Sequence, residues 1–288
     1  MNREVQESGT ARPESDVESG FVATNGVRTY YERQGSGPAI VFVHGFLMDT
    51  RMWAPQVEAL ADDYTVVTYD VRGHGQTGRS DEPRYDAELL AADLDALVTA
   101  LDLDRPVVCG LSMGGMIAQA YAARYPEKLS GLVLSDTFTP GALPVGGGLA
   151  MPHLLLFSAL SHVVGYKRLN AVQIWVGERL APGMVGNAEF HEGLVEDGPT
   201  MAGSEFRKGI GAILRFTKRD FDAAAIRVPT VVLVGEHEPA PMKRMANHLA
   251  ERIEGAEFAV VPDAGHGSSW DNPAFFTDAV RTLVERSR

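Results

Sequence analysis

The sequence predicts an α/β fold with a mainly parallel sheet and helices on both faces. Apolar strand patterns alternate with amphipathic helix patterns along the 288 residues, and this order is typical of βαβ units. The chain has 45% apolar and 22% charged residues, an ordinary globular balance. Because ligands of such sheets bind beyond the carboxyl ends of the strands, the loops at that edge should carry the functional residues.

The first strands follow an acidic segment. Residues 1–20 contain Ser, Gly, Pro and several acidic residues but no apolar core, so a disordered tail is expected there. Two β-rich runs, Phe21–Thr24 and Val27–Tyr31, flank Asn25-Gly26, a strong hairpin signal. The continuous apolar run Ala39–Val43 is typical of a strand that is covered on both faces.

The alternation continues to Leu134. Leu90, Leu94 and Leu97 share one face of a predicted helix. In chain order, the predicted elements are a helix at Met52–Ala61, a strand at Tyr64–Tyr69, a helix at Leu89–Leu101, a strand at Val107–Cys109, a helix at Gly114–Arg124 and a strand at Leu129–Leu134.

The strand–helix order then stops for roughly ninety residues, far longer than an ordinary connection. A helical lid, or cap, is therefore predicted at 137–222, after the sixth strand and between the two parts of the core at 21–136 and 223–288. The remaining predicted elements are helices at Leu154–Val164, Lys167–Val176 and Met201–Phe216, a strand at Thr230–Val234, a helix at Met242–Arg252, a strand at Phe258–Val261 and a helix at Pro273–Glu285.

Charge and cysteine content exclude several classes of protein. A net charge of −12 lacks the basic surface of a nucleic-acid binder. The lone Cys109 permits neither an intramolecular disulfide nor a cysteine zinc site. The uncharged run Thr137–Tyr166 is interrupted by Pro and Gly and its apolar part is too short to span a membrane. We expect a cytoplasmic protein whose partners are small molecules; a homo-oligomer stays open.

The central chemical signal is Gly110-Leu-Ser112-Met-Gly114, which follows a strand and opens a helix. This context is that of a Gly-x-Ser-x-Gly elbow, in which a strained turn projects the serine hydroxyl. The alternatives are a non-catalytic serine in a plain Gly-rich turn and a phosphate-binding loop, but the Gly-Lys-Ser/Thr ending of a P-loop is absent. Ser112 is therefore the predicted nucleophile.

A second signal, His44-Gly45-Phe46, follows the strand Ala39–Val43. Glycine allows the chain to turn so that a backbone N–H faces the elbow. The N–H groups of Phe46 and Met113 are the predicted oxyanion hole, and His44 should hydrogen-bond the loop.

A third signal, Asp263-Ala-Gly265-His266, follows the strand Phe258–Val261 and makes His266 the predicted base. The acid is less determined, because several carboxylates follow late strands. Glu238, after Thr230–Val234, is preferred, Asp136 is the alternative, and Glu236 or Asp263 stay open.

These motifs resemble those of the α/β-hydrolase superfamily. Val41-Phe-Val-His-Gly45, Asp70-Val-Arg-Gly-His-Gly75, Gly110-Leu-Ser-Met-Gly-Gly115 and Pro262-Asp-Ala-Gly-His266 match in order and spacing. Within it, the chain looks most similar to the group of 3-oxoadipate enol-lactonases, cofactor-free haloperoxidases and esterases. The resemblance implies an eight-stranded sheet, Ser112 as nucleophile, His266 as base, and an acid at Glu238, where relatives usually carry Asp.

We expect a serine hydrolase, a carboxylesterase or lactonase, that transfers an acyl group to water without metal or cofactor. The uncharged start of the lid favours a neutral, mainly apolar substrate. Other serine chemistry on the same scaffold (carbon–carbon bond hydrolysis, thioester cleavage or perhydrolysis) and a slow-turnover ligand-binding receptor are the alternatives. The residues expected to contact substrate are Phe46, Phe138, Met151, Phe157 and Trp270.

Overall fold

The computed structural model describes residues 17–140, 156, 159–160, 163–180, 182–187, 201–218 and 221–288. Its strands form one eight-stranded sheet in the order β1-β2-β4-β3-β5-β6-β7-β8. These strands are β1 (Val17–Thr24), β2 (Val27–Gln34), β3 (Ala39–Val43), β4 (Thr65–Tyr69), β5 (Val107–Leu111), β6 (Gly131–Ser135), β7 (Thr230–Gly235) and β8 (Glu257–Val261).

Helices connect the strands and cover the sheet. The described α-helices are α1 (Ala54–Leu60), α2 (Ala87–Ala100), α3 (Met113–Arg124), α4 (Tyr166–Leu180), α5 (Gly203–Lys218), α6 (Ala240–Arg252), α7 (Ser268–Asp271) and α8 (Pro273–Arg286), with short 3₁₀ turns at Thr50–Trp53, Pro126–Lys128 and Ala223–Ala225. In the described part of the chain, no helix is both long and apolar enough to cross a membrane.

The sheet is mostly parallel, as predicted. β1, β2 and β4 pair antiparallel, whereas the ladder from β4 through β3, β5, β6 and β7 to β8 is parallel. The parallel strands β3 to β7 are almost entirely buried, which explains their continuous apolar runs. Because β5 lies in the middle of the ladder, the residue that follows it stands at the centre of the carboxyl edge.

Alternating side chains divide the core between the two faces of the sheet. Val41 and Val43 belong to one apolar cluster, together with residues of α2, α3 and α6. Ile40 and Phe42 belong to a second cluster, together with residues of α1 and α8. Helix packing on both faces of the sheet confirms the predicted architecture.

The first strand differs from the prediction. β1 begins at Val17, four residues before the expected boundary at Phe21, and Val17–Gly20 pair with Tyr31–Gln34 of β2. The local composition favoured a disordered tail. The strand is longer because its backbone continues to pair with β2, and such pairing cannot be read from composition. Residues 1–16 of the predicted tail lie outside the described residues.

The segment between β6 and β7 carries α4 and α5, which overlap two of the three helices predicted there. The third, predicted at Leu154–Val164, falls largely outside the described residues. We call 137–222 the insertion. Phe206 and Ile210 of α5 pack with Leu47 and Met201 in a third apolar cluster, so part of the insertion lies against the loop that follows β3.

Candidate active site

Ser112 occupies a sharp turn between β5 and α3. Its backbone dihedrals, φ 55° and ψ −114°, are rare for a residue with a side chain and are costly unless the surroundings impose them. A Cβ on Gly110 would overlap the carbonyl of Gly114, and one on Gly114 would overlap the carbonyl of Val43. The two glycines therefore allow the tight turn that presents the Ser112 hydroxyl at the carboxyl edge.

His266 and Glu238 complete a hydrogen-bonded chain with Ser112. The Oγ of Ser112 lies 2.9 Å from Nε2 of His266, and Nδ1 of the same ring lies 2.5 Å from Oε1 of Glu238. With Nδ1–H donating to the carboxylate, Nε2 is free to accept the serine hydroxyl. The three side chains come from the loops after β5, β8 and β7, as the motif order predicted.

The other candidate acids do not contact the His266 ring by a hydrogen bond. Asp136 is fully buried, and its carboxylate accepts the N–H of Gly235 at 2.8 Å and the hydroxyl of Ser268. Glu236 is exposed, and its carboxylate accepts the backbone N–H of Asp263 at 3.0 Å. The structure therefore places Glu238, and none of the alternatives, on Nδ1.

Charge around the imidazole favours its protonated form. Burial lowers the pKa of His266, but the charge and hydrogen bond of Glu238, with the charges of Asp136 and Asp271, outweigh this effect and raise that pKa to about 9. Burial raises the pKa of Asp136 above its ordinary value of 3.8, and the charge of Glu238 raises it further. The negative charges of Glu238, Asp136 and Asp271 therefore all favour the protonated form of His266.

The loop after β3 lies beside the elbow. A Cβ on Gly45 would be 3.6 Å from the Cβ of Ser112, so the backbone that leads into Phe46 passes close to the serine. Met113 is the first residue of α3, where N–H groups have no partner within the helix. Both predicted oxyanion donors thus belong to backbone next to Ser112.

His44 fixes that loop, as predicted. Its Nδ1 donates to the carbonyl of Gly45 at 2.8 Å, and its Nε2 accepts the N–H of Val71 at 2.9 Å. His74 packs edge-on against His44. Burial lowers the pKa of His44 to about 4 and that of His74 to about 3, so both rings are neutral supports near neutral pH.

Of the five residues expected to contact substrate, two pack against α5 and one has no described hydrogen bond or ring contact with the Ser112 site. Phe46 packs against Phe206, with ring centroids 5.3 Å apart, and Phe138 meets Phe216 edge-on at 6.1 Å. Trp270 donates its indole N–H to the carbonyl of Met52, and no described hydrogen bond or ring contact joins it to the Ser112 site. The expected positions Met151 and Phe157 lie outside the described residues.

The insertion reaches the histidine loop, a contact that none of the motifs predicts. The carbonyl of Met184 accepts the N–H of His266 at 2.9 Å, and the N–H of Asn187 donates to Asp271 at 2.7 Å. A Cβ on Gly265 would overlap the carbonyl of Gly183. A glycine directly before the histidine was the only sequence signal of this close approach.

Thr137 is a further supporting residue that none of the motifs predicts. Its hydroxyl donates to the carbonyl of Ser112 at 2.7 Å, and a Cβ on Gly115 would lie 2.5 Å from the Thr137 Cβ. The second glycine of the Gly114-Gly115 pair thus makes room for Thr137, which supports the elbow from the end of β6.

The residues that the structure describes line a large cavity but contain no metal-ligating cluster. A cavity of about 1090 Å³ lies among Thr50, Arg51, Pro55 and Pro273 near α1 and α8, and Ser112 is not among the residues that line it. Within the described residues, no group of three or more His, Cys, Asp or Glu side chains could hold a metal ion.

Comparison with known proteins agrees with this architecture. The sequence profile of the alpha/beta hydrolase fold matches residues 38–273. The chain is 26% identical over 255 residues to 3-oxoadipate enol-lactonase 2 of Acinetobacter baylyi, covering 88% of this chain and 91% of that protein. The crystal structure of the enol-lactonase from Burkholderia xenovorans superposes with a TM-score of 0.74 at 26% identity, covering 92% of this chain and 100% of that one. A thermophilic esterase from Thermogutta terrifontis superposes with a TM-score of 0.73 at 27% identity, over 94% and 99% of the two chains.

Proposed function

The chain belongs to the alpha/beta hydrolase fold family and is a hydrolase, and from this premise we propose that it is a serine hydrolase. In this proposal it cleaves a neutral, mainly apolar carboxylic ester or lactone through an acyl-enzyme. The observation that carries the proposal is the hydrogen-bonded chain of Ser112, His266 and Glu238, with 2.9 Å between Oγ and Nε2 and 2.5 Å between Nδ1 and Oε1. This is the geometry required of a nucleophile, its base and the acid that orients the base.

Acylation begins when Ser112 Oγ attacks the carbonyl carbon and His266 Nε2 takes the hydroxyl proton. The carbonyl oxygen becomes an oxyanion that accepts hydrogen bonds from the N–H groups of Phe46 and Met113; each such donor typically contributes ~3 kcal/mol. Glu238 stabilises the imidazolium. The C–O bond to the leaving group then breaks, and His266 returns the proton to the departing alkoxide.

Deacylation repeats these steps with water. His266 takes a proton from water as the water oxygen attacks the acyl carbon. The tetrahedral intermediate collapses by breaking the bond to Ser112 Oγ, which regains its proton from His266. The products are a carboxylic acid and an alcohol, or one hydroxy acid when the substrate is a lactone.

The described walls of the site support a neutral substrate. Phe46 packs on Phe206 and lies against Gly209 of α5, so the side next to the oxyanion donors is apolar. Among the cations of the insertion that the structure describes, Lys208 binds Glu205 and the carbonyl of Ser80. The remaining described cations of the insertion are exposed: Lys167, Arg168, Arg179, Arg207, Arg215 and Lys218. An ionised substrate would lose its hydration against this apolar wall without gaining a counter-charge from these side chains.

We further propose that the insertion, 137–222, acts as a cap over the carboxyl edge. The bond from His266 N–H to Met184 and the apolar contact of Phe46 with α5 support this role. In this proposal, the α/β core comprises 21–136 and 223–288, and β1 extends its start to Val17.

The proposal is tested with p-nitrophenyl esters and lactones of graded acyl length. Ser112→Ala should abolish hydrolysis of every substrate that the wild type cleaves and keep the native unfolding transition. Ser130→Ala, a serine at the opposite edge of β6, is the matched control and should retain wild-type kcat. Retention of more than a few per cent of kcat by Ser112→Ala would exclude this serine as the nucleophile, since loss of a triad nucleophile costs orders of magnitude.

The substrate class is tested by comparing a neutral ester with a carboxylate-bearing analogue of equal length. We expect the neutral ester to have the higher kcat/KM, because the described site walls offer it apolar contacts and offer the anion no counter-charge. A clear preference for the anionic analogue would contradict the neutral-substrate proposal and favour an acidic lactone.

A further inference from the structure

Asp136 is a buried carboxylate that the proposed mechanism does not use. It directly follows β6, has a positive φ of 46°, and is fully buried. Its Oδ1 accepts the N–H of Gly235 at 2.8 Å, and its Oδ2 accepts the hydroxyls of Ser268 and, at 2.8 Å, Ser135. Every one of these donors is supplied by the protein, so burial of the carboxylate is compensated by hydrogen bonds.

The donors to Asp136 belong to the loops that carry two triad side chains. Gly235 ends β7, three residues before Glu238, and Ser268 follows His266 by two residues. A single carboxylate thus ties both loops to the end of β6, which lies between β5 and β7 in the sheet.

The residues on either side of Asp136 hold the third triad member. The carbonyl of Ser135 accepts the N–H of Ser112 at 2.9 Å, and the hydroxyl of Thr137 donates to the carbonyl of Ser112 at 2.7 Å. The tripeptide Ser135–Thr137, which we call the β6 bracket, therefore bonds to the backbone of the serine and to both of the other loops.

Asp136 also acts on the imidazole through its charge. The charged groups that act on the His266 ring are Glu238 from the loop after β7, Asp271 from the segment after β8, and Asp136 itself. Its neighbours within the β6 bracket, Ser135 and Thr137, are uncharged. A negative charge on Asp136 favours imidazolium, in the same direction as Glu238.

We propose that Asp136 is a positioning residue for the Ser112–His266–Glu238 triad: it locks the His266 and Glu238 loops onto the β6 bracket. This inference rests on the proposed serine-hydrolase function. It differs from the alternative in which Asp136 is the triad acid, because Asp136 acts here through the loops and through charge and does not bond to Nδ1.

Asp136→Asn tests the inference with little change in shape. Asn tolerates a positive φ, and its side-chain oxygen can still accept the N–H of Gly235. We expect kcat to fall about tenfold to 100-fold, as for a small misplacement of reacting groups, with KM unchanged. We expect the acidic limb of kcat/KM to move about one unit to lower pH, since the imidazolium loses a favourable charge.

Two further variants make the result interpretable. Asp278→Asn removes the same charge from the exposed face of α8 and should leave kcat and the acidic limb at wild-type values. Ser268→Ala breaks the bond from Asp136 to the histidine loop and keeps the charge. It should lower kcat several-fold, with KM and the acidic limb unchanged. If Asp136→Asn does not give the native unfolding transition, the kcat of Ser268→Ala alone tests the inference.

A folded Asp136→Asn with kcat within about twofold of wild type and an unmoved acidic limb would overturn the inference. So would wild-type kcat in Ser268→Ala if the first variant does not fold. Labelling with a fluorophosphonate separates these failures from failure of the proposed function. If the wild type is not labelled at Ser112, the serine-hydrolase proposal fails, whereas normal labelling of the wild type with unaffected variants refutes only the role of Asp136.

Discussion

The backbone N–H of His266 donates to the carbonyl of Met184 at 2.9 Å. This bond joins the triad histidine to a residue 82 positions earlier in the chain, inside the insertion. In a second bond between the same two segments, the N–H of Asn187 donates to Asp271 at 2.7 Å. The placement of the histidine therefore depends on the insertion as well as on the sheet.

Gly265→Ala should disable the enzyme by breaking this junction. The added Cβ would lie 2.7 Å from the carbonyl oxygen of Met184 and overlap that of Gly183, and backbone atoms cannot move aside as a flexible side chain can. We expect kcat to fall by about 100-fold or more because His266 is displaced. Gly203→Ala, where the nearest atom is the end of Arg207 at 3.5 Å, is the control. Wild-type kcat in Gly265→Ala would show that the junction does not position the histidine.

The pH profile should have its acidic limb above the ordinary pKa of histidine. His266 can act as a base only when it is neutral, and the neutral fraction increases as the pH rises through its pKa. Because the carboxylates around the ring raise that pKa from 6.5 to about 9, kcat/KM should still be rising between these two values. A profile that is already flat at pH 6.5 would contradict the electrostatic description of the site.

Glu238→Gln should lower kcat by about three to four orders of magnitude, because the amide cannot stabilise the imidazolium and favours the wrong tautomer. Glu236→Gln changes an exposed carboxylate on the same loop and should leave kcat within about twofold of wild type. Asp136→Asn should fall between these two variants. If Asp136→Asn lowers kcat more than Glu238→Gln does, the triad acid follows β6 and the assignment of Glu238 is wrong.

Asp93→Asn should destabilise the fold. Asp93 and Arg72 form a buried ion pair whose side chains are 5% and 1% exposed, and Asn25 donates to the same carboxylate at 2.9 Å. Removal of the charge leaves Arg72 uncompensated, and we expect a loss of about 3–5 kcal/mol of unfolding free energy in urea denaturation. Asp95→Asn breaks the more exposed pair with Lys128 and should cost less than ~1 kcal/mol. Equal losses of unfolding free energy in the two variants would contradict the expectation that the buried ion pair contributes more than the exposed one.

The strands and the main site residues could be predicted because their signals are local. An apolar run marks each central strand. Shortly after such runs, Ser112 lies two residues from Gly110 and Gly114, and His266 lies between two glycines. Parallel strands bring these loops to one edge, so proximity in space follows from the fold class alone.

Other features depend on contacts between distant parts of the chain. Val17–Gly20 form a strand because β2 offers them partners. Thr137 and Met184 support Ser112 and His266 through single hydrogen bonds that no sequence pattern announces. Glu238 and Asp136 follow neighbouring strands, so only the path of each side chain decides which carboxylate faces Nδ1.

The most direct test of the account is covalent labelling of the wild-type protein with a fluorophosphonate, followed by mapping of the modified peptide by mass spectrometry. The side chain of His266 is 35% exposed, so a small reagent can approach the base and its serine. We predict modification of Ser112 at one equivalent per chain, with parallel loss of ester hydrolysis, and no modification of Ser112→Ala. Labelling at a different residue, or hydrolysis that persists after Ser112 is fully modified, would contradict the claim that this serine is the nucleophile.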